Sequence, residues 1–154
     1  MANTYREVRA WQRAREFKLA IYRLVKTGVF SGEDNLRKQV SEAAASAPSQ
    51  VAEGFGRFEP IDNARFVRNG RASLLECQNH LQDAVDRGLI DEATQQELEA
   101  MIQAALSEIG GWLDYLQSDE AKQNAERVKK QRAERARLRR AARRAESRPG
   151  KPER

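Results

Sequence analysis

The chain has 154 residues, 40% hydrophobic and 33% charged, a length that supports one core with an appendage and a composition that excludes a wholly disordered protein. Its net charge of +5 is unevenly spread: residues 119–154 hold 14 Lys and Arg against 6 Asp and Glu, a net +8, which leaves −3 over residues 1–118. One cysteine, Cys77, excludes an internal disulfide and fits a reducing compartment, and the chain has neither a signal-peptide apolar run at its start nor a bilayer-length apolar stretch. A cytoplasmic protein without membrane attachment is expected.

Thr4-Tyr5-Arg6-Glu7 has the capping-box pattern, and Ala14, Phe17, Ile21 and Leu24 follow at steps of three and four, with Trp11 and Val25 widening the stripe and Gly28 stopping it. The spacing predicts a first helix over about 5–27. Ser31-Gly32-Glu33-Asp34 repeats the capping logic, and Leu36, Val40, Ala43, Ala47 and Val51 carry a second helix to about Arg57, with a kink expected at Pro48. Ala43-Ala44-Ala45-Ser46-Ala47 is a run of small side chains suited to close helix packing. Gly54 and Gly56 read as the end of this helix.

Glu59-Pro60-Ile61-Asp62 opens a third helix with Val67, Gly70, Leu74, Cys77, Leu81 and Ala84 on one stripe and Gly88 at its end. Asp91 caps a fourth, whose stripe is Leu98, Ile102, Ala105, Ile109, Trp112 and Leu116. The expected fold is therefore all-α: an antiparallel up-down four-helix bundle over 1–118 and a basic C-terminal tail over 119–154. The tail has few apolar residues, Val128 and Leu138 among scattered alanines. It reads as a solvent-exposed extension of helix four to about Glu146 or a helix-prone disordered arm, with Arg148-Pro149-Gly150-Lys151-Pro152 loose.

Within helix two, Gln39-Val40, Ala43, Ser46, Pro48 and Val51-Ala52-Glu53-Gly54-Phe55-Gly56-Arg57 resemble the signature of four-helix-bundle proteins encoded in intervening sequences of bacterial 23S rRNA genes. Trp11-Gln12, Ala14 and Tyr22 of helix one and Phe66, Ser73 and Glu76 of helix three are similar to that family too. The resemblance spans about residues 5–117. It implies a left-handed bundle assembled as a ring-like homo-oligomer, a pentamer, with no established enzymatic activity, with RNA as a suspected ligand and with distant relatives acting as accessory factors for reverse transcriptases. Trp11, Gln39, Pro48, Glu53, Gly54, Arg57, Ser73 and Glu76 become family-type structural positions. Ser41 and Glu42 stand where members usually carry two arginines, and Gln50 replaces the usual Asn. The bundle thus loses two positive charges on that face.

No residue set reads as catalytic. Glu53 and Arg57, four apart, read as an ion pair at a helix end. Ser73 and Glu76 read as groups at a helix or subunit interface or as exposed helix residues. His80 and Cys77 are three apart, but His80 is the only histidine and no second pair completes a metal site, so neither metal nor cofactor is expected. The tail is the functional lead, through Lys129, Lys130, Arg132, Arg135, Arg137, Arg139, Arg140, Arg143 and Arg144. Such a run offers salt-dependent, sequence-independent phosphate binding to RNA or DNA, multiplied by avidity in an oligomer. It has no aromatic side chain for base recognition and no bulky apolar face for a membrane. The rivals are a protein-interaction scaffold with an incidental tail and a tail that serves only solubility.

Overall fold

In a computed structural model, residue 2, residues 4–57 and residues 59–146 are described, with side chains as far as Arg143. These residues form a 3-10 turn, Tyr5–Glu7, and five α-helices: α1 (Arg9–Lys26), α2 (Asp34–Phe55), α3 (Pro60–Asp86), α4 (Glu92–Gln117) and α5 (Asp119–Glu146). The fold is all-α. Phe58 and the Arg148–Pro152 stretch lie outside the described residues, as does the side chain of Arg144.

The helix ends follow local chemistry, with three departures. Gly88 (φ 69°) closes α3 in a Schellman arrangement, in which Gly88 N–H donates to Val85 O (2.8 Å) and Leu89 N–H to Ala84 O (2.9 Å). Asp91 accepts from Thr94 N–H at 2.8 Å and caps α4. The capping box at Thr4 does not form, however. Val8 is extended (φ −77°, ψ 119°) and buried, so the chain makes a separate turn at 5–7 and α1 starts only at Arg9. Ser31 does not cap α2 either. Gly32 (φ 84°) turns the chain, and the Glu33 carboxylate instead meets Arg87 at 2.7 Å, tying the start of α2 to the end of α3. Nor does Gly54 end α2: it is a buried helical residue, and Gly56 is the cap.

The core is built from the predicted stripes, with Phe17, Ile21, Leu36, Val40, Val51, Val67, Leu74, Leu81, Ile102 and Ile109 fully buried. α1 packs on α2 and α4, and α3 on the same two helices. α2 continues through the buried Pro48.

α2 and α3 approach one another most closely. A Cβ on Gly70 would lie 3.0 Å from Ala47 O, and one on Gly54 would lie 2.8 Å from Asn63 Oδ1 and 3.0 Å from Asn63 O. Between these points Asn69 Nδ2 donates to Gln50 Oε1 at 3.5 Å, and just beyond the Gly70 contact Ser73 Oγ donates to Ser46 Oγ at 2.9 Å. The small-residue run of helix two is thus a packing face, and the two glycines set its spacing.

Gly54→Ala should lower the free energy of chemical unfolding by about 1–3 kcal/mol, because backbone stands in the way of the added methyl. Gly111→Ala, where a Cβ meets nothing within 4 Å, should raise it by roughly 0.5–1 kcal/mol through helix propensity. Equal effects of the two substitutions in urea titrations would show that the α2–α3 spacing does not constrain residue 54.

Candidate nucleic-acid interface

The tail is not a continuation of α4. Ser118 is extended (φ −72°, ψ 157°); its hydroxyl donates to Tyr115 O (2.6 Å) and accepts from Ala121 N–H (3.2 Å), so one side chain ends α4 and caps α5. The first three turns of α5 then pack against the bundle end, contrary to the expectation that the tail buries nothing. Ala121 is buried, Asn124, Ala125 and Val128 are half-buried, and Asn124 Nδ2 donates to Tyr115 Oη at 3.2 Å. Steps of four and three place Ala121, Ala125 and Val128 on one seam.

Beneath that seam lies a cleft of about 220 Å³ whose walls include Phe55, Arg57, Pro60, Asn63, Trp112 and Tyr115. Asn63 Oδ1 and Trp112 Nε1 are buried there without a hydrogen-bond partner among the described residues. Several family-type positions sit at this corner. Arg57 pairs with Glu53 at 2.7 Å and lies over the Phe66 ring at 4.5 Å from its centroid, while Gly54 backs onto Asn63. Glu53 and Arg57 are half-exposed, so their pair contributes at most about 0.5 kcal/mol. Trp11 is remote from this group in sequence and meets Tyr5 edge-on at 5.1 Å. Gln39 is exposed, Pro48 buried, and Ser73 bonded to Ser46. Glu76 is exposed, 3.6 Å from His80 Nε2 and therefore outside hydrogen-bond reach.

Beyond Val128 every residue of α5 to Arg143 is exposed. The 18 residues from 129 to 146 make an arm of about 27 Å at the α-helical rise. On it Lys129 approaches Glu59 (3.9 Å) and Glu126 (3.8 Å), and Arg137 approaches Glu134 (3.8 Å). Lys130, Arg135, Arg139, Arg140 and Arg143 form no ion pair among the described residues. Arg132, Arg135, Arg139 and Arg143 step by three, four and four, so they continue the seam that docks through Ala121, Ala125 and Val128. Lys130, Arg137 and Arg140 occupy another side. Gln131, Leu138 and Ala142 are uncharged positions on a third side.

The family described as 23S rRNA-intervening sequence protein matches residues 6–111. The chain belongs to this family. No curated protein matches it. The match ends within α4, so the α5 arm stands outside the part that makes this chain an intervening-sequence protein.

This family member also carries cations that the sequence reading did not single out. Arg65, Arg68 and Arg71 are exposed on α3, have no ion pair among the described residues, and occupy a stretch, 63–75, without Asp or Glu. Their signal was the i, i+3 spacing, masked by the net negative charge of residues 1–118. Among the described residues no three of His, Cys, Asp and Glu converge on a possible metal position, and no helix is long and apolar enough to cross a membrane.

Cys77 is wholly buried, and that burial, with a smaller contribution from the Glu76 charge, pushes its thiol from an ordinary 9.0 up to about 12. Because the unfolded thiol ionises first, stability associated with Cys77 is intact below pH 9 and declines between about 9 and 12. At pH 8 the thiol should react with a disulfide reagent only as fast as the protein unfolds. Rapid stoichiometric labelling of the native chain would contradict its place in the core.

Proposed function

We propose that this protein is a non-enzymatic, homo-oligomeric binding module of the cytoplasm that holds nucleic acid, RNA foremost, through phosphate contacts made by the α5 arm. The observation that carries the reading is the arm itself: a continuous helix, seated at its base on the bundle, with exposed cations on most of its circumference and few carboxylates beside them. Contacts of this kind release counterions and are insensitive to base identity. The suspected RNA ligand of the family agrees with this assignment.

For the scaffold, the reading is an antiparallel four-helix bundle, α1–α4, with α5 laid across one end. Support comes from pairs that run in opposite directions along neighbouring helices. Ser46 meets Ser73 while Gln50 meets Asn69; Gln78 meets Glu99 while Gln82 meets Gln95. Several arms on one ring would raise affinity through effective concentration.

The rival reading is a protein-interaction scaffold, for instance an accessory to a reverse transcriptase, in which the arm is incidental. It is favoured by Ile61 and Leu75, which are 77% and 43% exposed on α3.

Affinity of the full chain for a structured RNA should fall steeply and linearly on a logarithmic salt axis. Glutamine at Arg135, Arg139, Arg140 and Arg143 should flatten that slope by about 3–4 units, close to the charges removed. An unchanged slope would move the assignment to the protein-partner reading. In light scattering the mass should be a multiple of 17.5 kDa, five-fold if the family's pentamer holds. A monomeric mass at micromolar concentration would remove the avidity argument.

A further inference from the structure

Away from the arm, α1 carries rings and cations in alternation. Trp11, Arg15, Lys18 and Tyr22 follow one another at steps of four, three and four, so they share one face of the helix. They extend over about 16 Å of its length at the α-helical rise. The guanidinium carbon of Arg15 lies 5.8 Å from the Trp11 ring centroid, and Lys18 Nζ lies 5.7 Å from that of Tyr22. Tyr22 is 39% exposed, one of few large hydrophobic side chains so open to solvent, and Arg15 is exposed beside the half-buried Trp11. Neither Arg15 nor Lys18 forms an ion pair among the described residues. The stretch from Phe17 to Gly32 holds Lys18, Arg23 and Lys26 and no Asp or Glu. The two cations are thus held by π faces rather than by carboxylates.

We propose that this face of α1 is a stacking platform for single-stranded nucleic acid, in which Tyr22 and Trp11 take unpaired bases and Lys18 and Arg15 take the flanking phosphates. The proposal rests on the nucleic-acid reading of the arm and adds to it the base contact that an arm without aromatic side chains lacks. The chemistry is an exchange. An exposed cation over a ring is held weakly, whereas a base stacked on the same ring is held more strongly and brings a phosphate for the displaced cation. The guanidinium plane of Arg15 can itself carry a stacked base. A duplex, with its bases already stacked, gains nothing from these rings and is bound by the arm alone. The platform therefore selects unpaired segments of RNA or DNA.

The test uses the full chain, an unstructured oligouridine and a blunt RNA duplex at one fixed salt concentration, with anisotropy as the readout. Tyr22→Leu keeps an apolar side chain and removes the ring; it should weaken oligouridine binding by roughly 5- to 150-fold and leave duplex binding within about twofold, while Tyr22→Phe retains wild-type affinity for both. Equal loss on both probes, no loss on either, or a change of assembly mass with Tyr22→Leu would overturn the platform, the last by making this face a subunit contact. If neutralising the arm abolishes binding of both probes while Tyr22→Leu alters neither, the platform falls and the nucleic-acid reading stands. If the wild-type chain binds neither probe, both fall.

Discussion

The end of this molecule that carries α5 depends on how closely α2 and α3 run together. At Gly70 and Gly54 an added methyl group would press on the backbone of the facing helix; the Gln50–Asn69 pair bridges the helices between them, and the Ser46–Ser73 hydroxyl pair does so just beyond Gly70. Were either backbone held off by a side chain, the turn joining α2 to α3 would be displaced. That turn brings Phe55, Arg57, Pro60 and Asn63 to the rim on which α5 rests. Close packing transmits such strain because a packed interior has few voids to absorb it. The Ala-Glu-Gly-Phe-Gly-Arg run is accordingly a structural signature. Its glycine admits the neighbouring helix, and its Glu53–Arg57 pair and the Arg57–Phe66 contact finish the corner.

The second determinant is a single hydroxyl. With an extended backbone and two hydrogen bonds, Ser118 divides what would otherwise be one long polar-faced helix into α4 and α5. The break redirects the chain so that Ala121, Ala125 and Val128 meet the bundle. At about 0.8 kcal/mol per buried carbon, these small side chains contribute on the order of 2–3 kcal/mol. That suffices to seat the base of α5 but is too little to hold the whole helix. The remainder depends on intrinsic propensity, for which Ala, Arg, Lys, Glu and Gln are good choices. The arm is thus directed at its root and open along its length, a geometry that lets a charged helix meet an extended ligand from several sides.

The helices of this fold were legible because their signals are local. Stripes at steps of three and four, Gly28 and Gly88 at helix ends, and Asp91 as a cap each depend on a few neighbouring residues. Thr4 and Ser31 misled because a capping hydroxyl matters only if the backbone beside it is free to turn. The buried Val8 and the left-handed Gly32 decided those two starts instead. Gly54 misled for a related reason, since a glycine that ends a helix and one that admits a neighbouring helix look alike until the neighbour is in place. The docking of α5 was missed because three small apolar residues among 28 polar-rich ones are a weak stripe, and only the aromatic rim beneath makes them a contact. Of the candidate site, the cations of the arm were readable as a run of like charge. Those of α3 were hidden in a bundle whose charges nearly balance.

On the proposed reading, arm and bundle divide the chemistry of recognition between them. An exposed cation–π contact such as that of Lys18 with Tyr22 is worth about 0.5–1 kcal/mol, and a stacked base about 1–3 kcal/mol. A single ring therefore gains only a modest margin from exchanging its cation for a base. The arm, by contrast, can neutralise several phosphates, and its contribution grows with every counterion released and shrinks with every increment of salt. Affinity would then rest mainly with α5 and discrimination with α1, and the two should separate as salt rises. Phosphate binding fades first, while stacking, which involves no net charge, persists. A protein so divided would bind many nucleic acids loosely at low salt and would retain a preference for unpaired ones where screening has removed the rest.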